Sequence, residues 1–418
     1  MRDAAIVLGI IGIGVVWRRP AWVWWWTALA AVALEVIHHW YGGIGQYFPV
    51  VGGIVGALIA FLPRRDLWRF LWQHRVQYWG FLFYTLAVWV SLAVSINRHV
   101  SVRYALGVPA IFWLTALVIP YLLHERQMTL QDLLKPMALA GVLFTLVAAI
   151  GAIGFHQGFL VPVGHHHLLA WEWPFANKNT LGMLLVFATP AALGLYLDER
   201  TPNRGMYGIG FLISLIGVVF SYARASWIAT IVGVMLLIVL RYRGRGLLGV
   251  VIGVVVLAGG AVMATGVHKW EKLWSHGLSG RTGLWQAALK VAAKHPWFGV
   301  GAGNSPAAIL PYVPPAYRGL SPHDSILRTL VELGAVGLIL WGIVVVVALY
   351  KAFFTAPQRH GWTALALGAV LLASLVEQGA ESVFLGGVFF GDLFFTVLVG
   401  VAWLLPSLGS QSRLGRMR

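Results

Sequence analysis

Long apolar runs separated by short polar segments recur along the whole chain, at 4–17, 21–38, 45–62, 77–96, 105–123, 134–155, 179–197, 206–223, 225–240, 247–266, 325–350, 361–380 and 384–405. Runs of this kind cross a bilayer only as helices, because a segment in lipid must satisfy its own backbone N–H and C=O groups. The pattern predicts an all-α, polytopic membrane bundle forming one transmembrane domain over 1–418, with 13 spans, or 12 if the short first run does not cross. No small-residue cleavage site follows that first run, so it is expected to remain as a helix. No internal repeat is visible, and the uneven loop lengths argue against two equivalent halves.

Two connections are longer than the rest, 156–178 and 267–324. A loop as long as the second is usually functional or disordered, and this one has the pattern of structure. Leu284, Trp285, Ala288, Val291 and Ala292 recur at helical spacing. They predict an amphipathic helix, with Ser279 as its N-cap and His295-Pro296 as its stop, that lies on the bilayer surface or caps the bundle.

Composition agrees with the pattern. Hydrophobic residues make up 59% of the chain and charged ones 11%, with mean hydropathy +0.79, which excludes a water-soluble domain. The net charge of +16 has a topological origin. Arg64/Arg65/Arg69/Arg75, Arg126/Lys135, Arg200/Arg204, Arg241/Arg243/Arg245, Lys351/Arg359 and Arg413/Arg416/Arg418 all fall on one side if the helices alternate. That side is expected to be cytoplasmic, with the large loop opposite. Attraction to anionic lipid accounts for the remaining excess, and no nucleic-acid motif accompanies it. Leu67-Trp68-Arg69-Phe70-Leu71-Trp72 reads as an interfacial anchor, and Trp22, Trp24, Trp25 and Trp26 as an aromatic belt. The absence of cysteine excludes disulfides, thiolate catalysis and cysteine-ligated metals.

Three residues stand out chemically. Arg224, in Ser221-Tyr222-Ala223-Arg224-Ala225-Ser226-Trp227, sits between two apolar runs, either snorkelling to the surface or binding an anion. Arg281 falls in the first turn of the amphipathic helix, where the dipole disfavours a cation and favours an anion. It either faces water, pairs with Glu271, or holds a phosphate together with the helix N–H groups. His323 follows a proline and opens a long apolar helix. Asp324, Arg328 and Glu332 share one face of that helix and can satisfy each other, leaving His323 free. The reading as a helix-end residue stands beside that of a base kept neutral by neighbouring arginines.

Other signals are weaker. His165-His166-His167 cannot converge on one ion in regular structure, so a surface loop is expected and no metal site is assigned. Gly299-Val300-Gly301-Ala302-Gly303-Asn304 follows no βαβ strand and reads as a tight turn pressed against the bundle. Glu377, Glu381 and Asp392 lie in or between the last two runs, either pairing with the arginines or relaying protons.

Pro174-Phe175-Ala176-Asn177-Lys178-Asn179, the Arg224 segment, Ser279-Gly280-Arg281 through Trp285, His295-Pro296-Trp297-Phe298-Gly299-Val300-Gly301, and Pro322-His323 with Glu332-Leu333-Gly334 occur in that order over 174–337. This ordered set resembles the O-antigen ligase and polymerase superfamily of bacterial membrane glycosyltransferases. The resemblance implies a GT-C-like bundle in the inner membrane. Such a bundle takes a glycan from undecaprenyl diphosphate on the periplasmic face and joins it to an acceptor hydroxyl, lipid A-core in the case of a ligase. It implies that Arg224 and Arg281 bind the diphosphate and that His323 is the catalytic base, with Asn177, Lys178, Asp324 and Arg328 as supporting residues. It also implies that no metal, cofactor or nucleotide sugar takes part. Asp324 departs from the Asn or Ser that often follows the histidine, and thirteen spans would exceed the family's usual twelve. An O-antigen polymerase, a protein O-oligosaccharyltransferase and, more distantly, a transporter of the same lipid remain as alternatives.

Overall fold

In the computed structural model of the chain, residues 2–41, 47–163, 166–175, 177–242 and 281–408 are described. The bundle is helical, as its apolar runs require. Its helices are α1 (Arg2–Arg18), α2 (Val23–Tyr41), α3 (Phe48–Phe61), α4 (Arg65–Gln73), α5 (Trp79–Val90), α6 (Arg98–His124), α7 (Leu130–Phe155), α8 (Lys178–Leu197), α9 (Arg204–Ser221) and α10 (Arg224–Tyr242). After the undescribed stretch come α11 (Arg281–Lys294), α12 (Ser305–Ile309), α13 (Ser325–Tyr350), α14 (Trp362–Gln378) and α15 (Phe390–Leu404).

Among the described residues, seven of these are long and apolar enough to cross a membrane by themselves: α6 to α10, α13 and α15. The expected 12 to 13 spans are not all met by length. The run 247–266 lies outside the described residues, α5 is only 12 residues long, and the run at 45–62 stops at Phe61, where the chain turns through 94° into α4. Pro63-Arg64-Arg65 accounts for that stop, since proline cannot continue a hydrogen-bonded helix and the arginines leave the apolar layer. The segment 156–178 also departs from an all-helical loop. It holds an antiparallel hairpin, β1 (Phe159–Val163) with β2 (His166–Ala170), so the backbone of His166 and His167 is strand, while His165 lies outside the described residues.

The core forms around α8, which is apolar on every face and correspondingly buried. Small residues let its neighbours approach. Gly182 faces Ala223 and Ser226, Gly194 faces Ala366, and Gly233 of α10 faces Ala373 of α14, the packing that associates helices where lipid offers no hydrophobic contrast. The alternation of helices is visible at the ends. Arg241 pairs with Glu199, and Asp198 accepts from Gln131 and Thr363, which gathers the starts of α7 and α14 with the ends of α8 and α10. At the opposite end lie the starts of α8, α10 and α13.

α13 is broken at Gly334, whose φ of 69° and ψ of −168° are non-helical. The break would orphan backbone groups, and the segment 296–301 satisfies them. Ala335 N–H donates to Pro296 C=O at 2.7 Å and Val336 N–H to Trp297 C=O at 3.2 Å, while Val300 N–H reaches Val331 C=O at 2.9 Å and Gly301 N–H reaches Glu332 C=O at 3.0 Å. Two intrahelical bonds are thus replaced by four to the inserted loop. This is the tight turn that the glycine pattern predicts, since a Cβ on Gly299 would lie 2.5 Å from the Val331 carbonyl oxygen.

A methyl group on Gly334 would lie 2.3 Å from the Trp297 backbone, in a backbone region closed to other residues. Gly334→Ala is expected to destabilise the protein by roughly 3 kcal/mol or more. A fall in the thermal unfolding midpoint in detergent, or loss of monodisperse protein, checks this; an unchanged midpoint would show that the break is not required.

Candidate active site

Four helix starts carry the candidate residues. Asn177 caps α8, its side chain accepting from Asn179 N–H at 2.9 Å, and Lys178 and Asn179 follow in the first turn. α10 begins at Arg224, directly after the turn in which Tyr222 adopts a left-handed φ of 52°. α11 begins at Arg281, and its face of Leu284, Ala287, Ala288, Val291 and Ala292 is buried, so the expected amphipathic helix caps the bundle. Its stop falls as expected, before His295-Pro296, whereas Ser279 lies outside the described residues. His323, at a left-handed φ of 51°, precedes Asp324, whose carboxylate accepts from Leu327 N–H at 2.7 Å and caps α13.

Glu381, in the turn after α14, ties three of these starts together. Its Oε1 accepts from Arg281 Nη2 at 2.7 Å and from Asn179 Nδ2 at 2.9 Å, and its Oε2 lies 3.0 Å from His323 Nδ1. The carboxylate is 9% exposed, Arg281 17% and His323 26%. The cluster is therefore largely sheltered, with the imidazole its most open member. Lys178 lies within electrostatic range of both Arg224 and Arg281, and its Nζ donates to the Tyr222 carbonyl at 3.3 Å. Its backbone N–H donates to Glu172 at 3.1 Å, a carboxyl that burial pushes above its usual range. One turn along α14 from Glu381, Glu377 accepts from Ser226 of α10 at 2.8 Å.

Short bonds fix the histidine segment. Trp285 Nε1 donates to Pro322 C=O at 3.1 Å, joining the arginine helix to the residue before His323. Ser325 Oγ donates to Glu381 C=O at 3.1 Å and accepts from Val383 N–H at 2.8 Å, and Asp324 N–H donates to Ser382 Oγ at 3.2 Å. Burial pushes the Asp324 carboxyl up, while N–H groups of the first turn pull it back.

Two expectations need correction. His323 is not free: its Nδ1 is committed to Glu381. Nor do Asp324, Arg328 and Glu332 form one self-satisfied stripe. Asp324 serves the helix start, because an N-cap carboxylate has unpaired backbone N–H groups within immediate reach. Arg328 instead belongs to a separate buried network, donating to Glu332 at 3.0 Å and to the Tyr104 hydroxyl at 2.9 Å. Glu332, fully buried, also accepts from Gly303 N–H and Ser305 Oγ. Asp392 accepts from Phe384 N–H at 2.7 Å and so has a structural partner.

The structure thus brings His323, Arg281 and Asn179 together through Glu381, with Lys178 and Arg224 close by. Asn177 and Asp324 are caps, and Arg328 is structural. Glu381 takes the first of the two roles left open for it, pairing with an arginine. Asn179 is the addition to the sequence reading, and the repeated asparagine in Asn177-Lys178-Asn179 was its signal.

Residues 209–342 match the family model described as O-antigen ligase, so this part of the chain is similar to that family. No curated protein matches the chain. Three chains of solved structures do. One comes from work described as "Structural coordination of polymerization and crosslinking by a peptidoglycan synthase complex"; it is 14% identical, with 80% of this chain and 98% of that chain covered and a TM-score of 0.44.

The two carboxylates are expected to separate in a stability assay. Glu332→Ala leaves the Arg328 guanidinium buried without its counterion and should cost about 3–5 kcal/mol. Glu381→Gln, at a partly hydrated cluster, should cost on the order of 1 kcal/mol. Unfolding midpoints of the two variants in one detergent measure the difference; equal losses would contradict the assignment of separate roles.

Proposed function

We propose that the chain is an inverting glycosyltransferase that moves a glycan from undecaprenyl diphosphate to a hydroxyl of lipid A-core at the periplasmic face of the inner membrane, as an O-antigen ligase. The observation that carries this reading is the Glu381 bridge, which puts a cation and an imidazole on one carboxylate at the meeting point of several helix starts. Helix N-termini and guanidiniums favour an anion there, and an imidazole beside a carboxylate is the arrangement of a general base.

The reaction needs little else. The acceptor oxygen attacks the anomeric carbon, the bond from that carbon to the diphosphate oxygen breaks, and configuration inverts. The acceptor proton passes to His323. With Nδ1 held by Glu381, the other ring nitrogen, Nε2, is the one that takes it, and the carboxylate stabilises the imidazolium that forms. Arg224 and Arg281 take up the charge that develops on the departing diphosphate, with Lys178 as a nearby third cation. Asn177 and Asp324 act indirectly, by fixing the helix starts that present these groups. No metal ion or nucleotide sugar enters the scheme. A polymerase or a protein O-oligosaccharyltransferase would use the same groups with a different acceptor.

Purified protein given undecaprenyl-diphosphate glycan and lipid A-core should form the joined product, identified by mass. His323→Ala is expected to lower kcat by about 10²–10⁴-fold while leaving the folded protein intact. Arg281→Lys should retain part of the activity that Arg281→Ala loses, because a point charge replaces a bidentate fork. Full turnover by His323→Ala would remove the base, and product formed only with a second lipid-linked glycan would reassign the acceptor.

Glu381→Gln keeps the size of the side chain and removes its charge. A fall in kcat with a nearly unchanged KM for acceptor is expected, on the order of 10–10³-fold. An equal fall in both variants' stability and activity would point to a packing role instead.

A further inference from the structure

Among the described residues, a strongly basic exposed surface lies far along the chain from the site described above. Residues 64–75 contain four arginines, Arg64, Arg65, Arg69 and Arg75, against one carboxylate, Asp66. Within this stretch, α4 turns 94° away from α3, so that it lies across the end of the bundle when α3 runs along the membrane normal. Its inner face is anchored. Leu67 and Phe70 are buried, and the Phe70 ring meets Tyr121 edge-on at 5.8 Å.

The outer face is of another kind. Arg65, Trp68, Arg69, Trp72 and Gln73 fall at i, i+3, i+4, i+7 and i+8 and line one shallow cleft of about 430 Å³. Trp68 is fixed by donating Nε1–H to Leu62 C=O at 2.8 Å, and the Arg75 guanidinium lies 4.3 Å from the centre of the Trp72 ring. Trp72 is 68% exposed, a large apolar surface to leave to water. The ion pair of Arg69 with Asp66 is long, 3.4 Å, and its side chains are 75% and 71% exposed, so an incoming anion displaces it at small cost.

We infer that this cleft binds the headgroup of an anionic phospholipid from the leaflet at this end of the bundle. The guanidiniums of Arg65 and Arg69 meet the phosphodiester and its net negative charge. The indoles of Trp68 and Trp72 occupy the boundary between headgroup and acyl chain, where amphipathic rings are stable. A zwitterionic headgroup offers the same phosphodiester with its charge cancelled, so the cleft discriminates by net charge. The site is independent of the proposed glycan transfer, and its test requires no enzymatic activity.

The test is a native mass-spectrometric titration of the full chain in nonionic detergent, with phosphatidylglycerol and phosphatidylcholine of identical acyl chains. The native chain is expected to bind phosphatidylglycerol at least about tenfold more tightly, and to lose that preference as salt is raised. R65Q/R69Q/R75Q should bind phosphatidylglycerol on the order of 100-fold more weakly, at roughly fivefold per arginine, with phosphatidylcholine unchanged. R200Q/R204Q, altered outside the cleft, should bind as the native chain does. Equal binding of the two lipids by the native chain, or a preference insensitive to salt, overturns the inference even if the triple variant does not fold. Undiminished binding by a folded triple variant, or equal loss in R200Q/R204Q, overturns it as well.

Discussion

A single carboxylate holds the candidate site together. Glu381 accepts from Asn179 at the start of α8, from Arg281 at the start of α11, and lies against His323 just before α13. The starts of these helices carry the positive ends of their dipoles, and the sequence adds Lys178, Arg224 and Arg281 to the same region. Such a concentration of positive charge repels itself unless something negative lies within it. Glu381 is a counterion placed where its partners come from three otherwise separate segments, so their relative positions depend on it.

Two glutamates in the last third of the chain show how environment separates structure from chemistry. Glu332 is fully buried and meets Gly303, Ser305 and Arg328, a set that satisfies both carboxylate oxygens. Its backbone carbonyl also accepts from the loop that fills the break at Gly334. Everything around it is closed, which suits a group that fixes one helix against the bundle. Glu381 sits in a turn, at the edge of solvent, with partners that are themselves partly exposed. Its bonds can be exchanged at modest cost, as the proposed reaction requires.

Seven of the expected spans were legible in the sequence because apolar length and lipid leave only one backbone solution. The amphipathic helix over Arg281–Lys294 was legible for a related reason: a period of 3.6 shows through a loop. Arg224, Arg281 and His323 were found as polar punctuation at run boundaries, and the structure sets each of them at or just before a helix start. The pairing of His323 with Glu381 was not legible, since 58 residues and a whole antiparallel helix pair separate them. Asp324 was misjudged because spacing along a helix counts side-chain neighbours and ignores the open N–H groups at its start, which take the carboxylate first. The hairpin after α7 and the right-angle turn between α3 and α4 arise from a few local residues that barely disturb an apolar pattern.

The double allegiance of Glu381 bears on the proposed reaction. While Arg281 is paired with Glu381, part of its fork is already occupied, and a diphosphate must compete for it. A phosphate offers more acceptor oxygens and more charge than one carboxylate, so the guanidinium gains by the exchange. Released from Arg281, the same carboxylate has only Asn179 and the imidazole to serve, and its full charge stands against Nδ1 of His323. In the proposed reaction the arginine clamp and the base, anchored to one anion, would therefore act interdependently, and Trp285, bonded to the Pro322 carbonyl, joins their two segments.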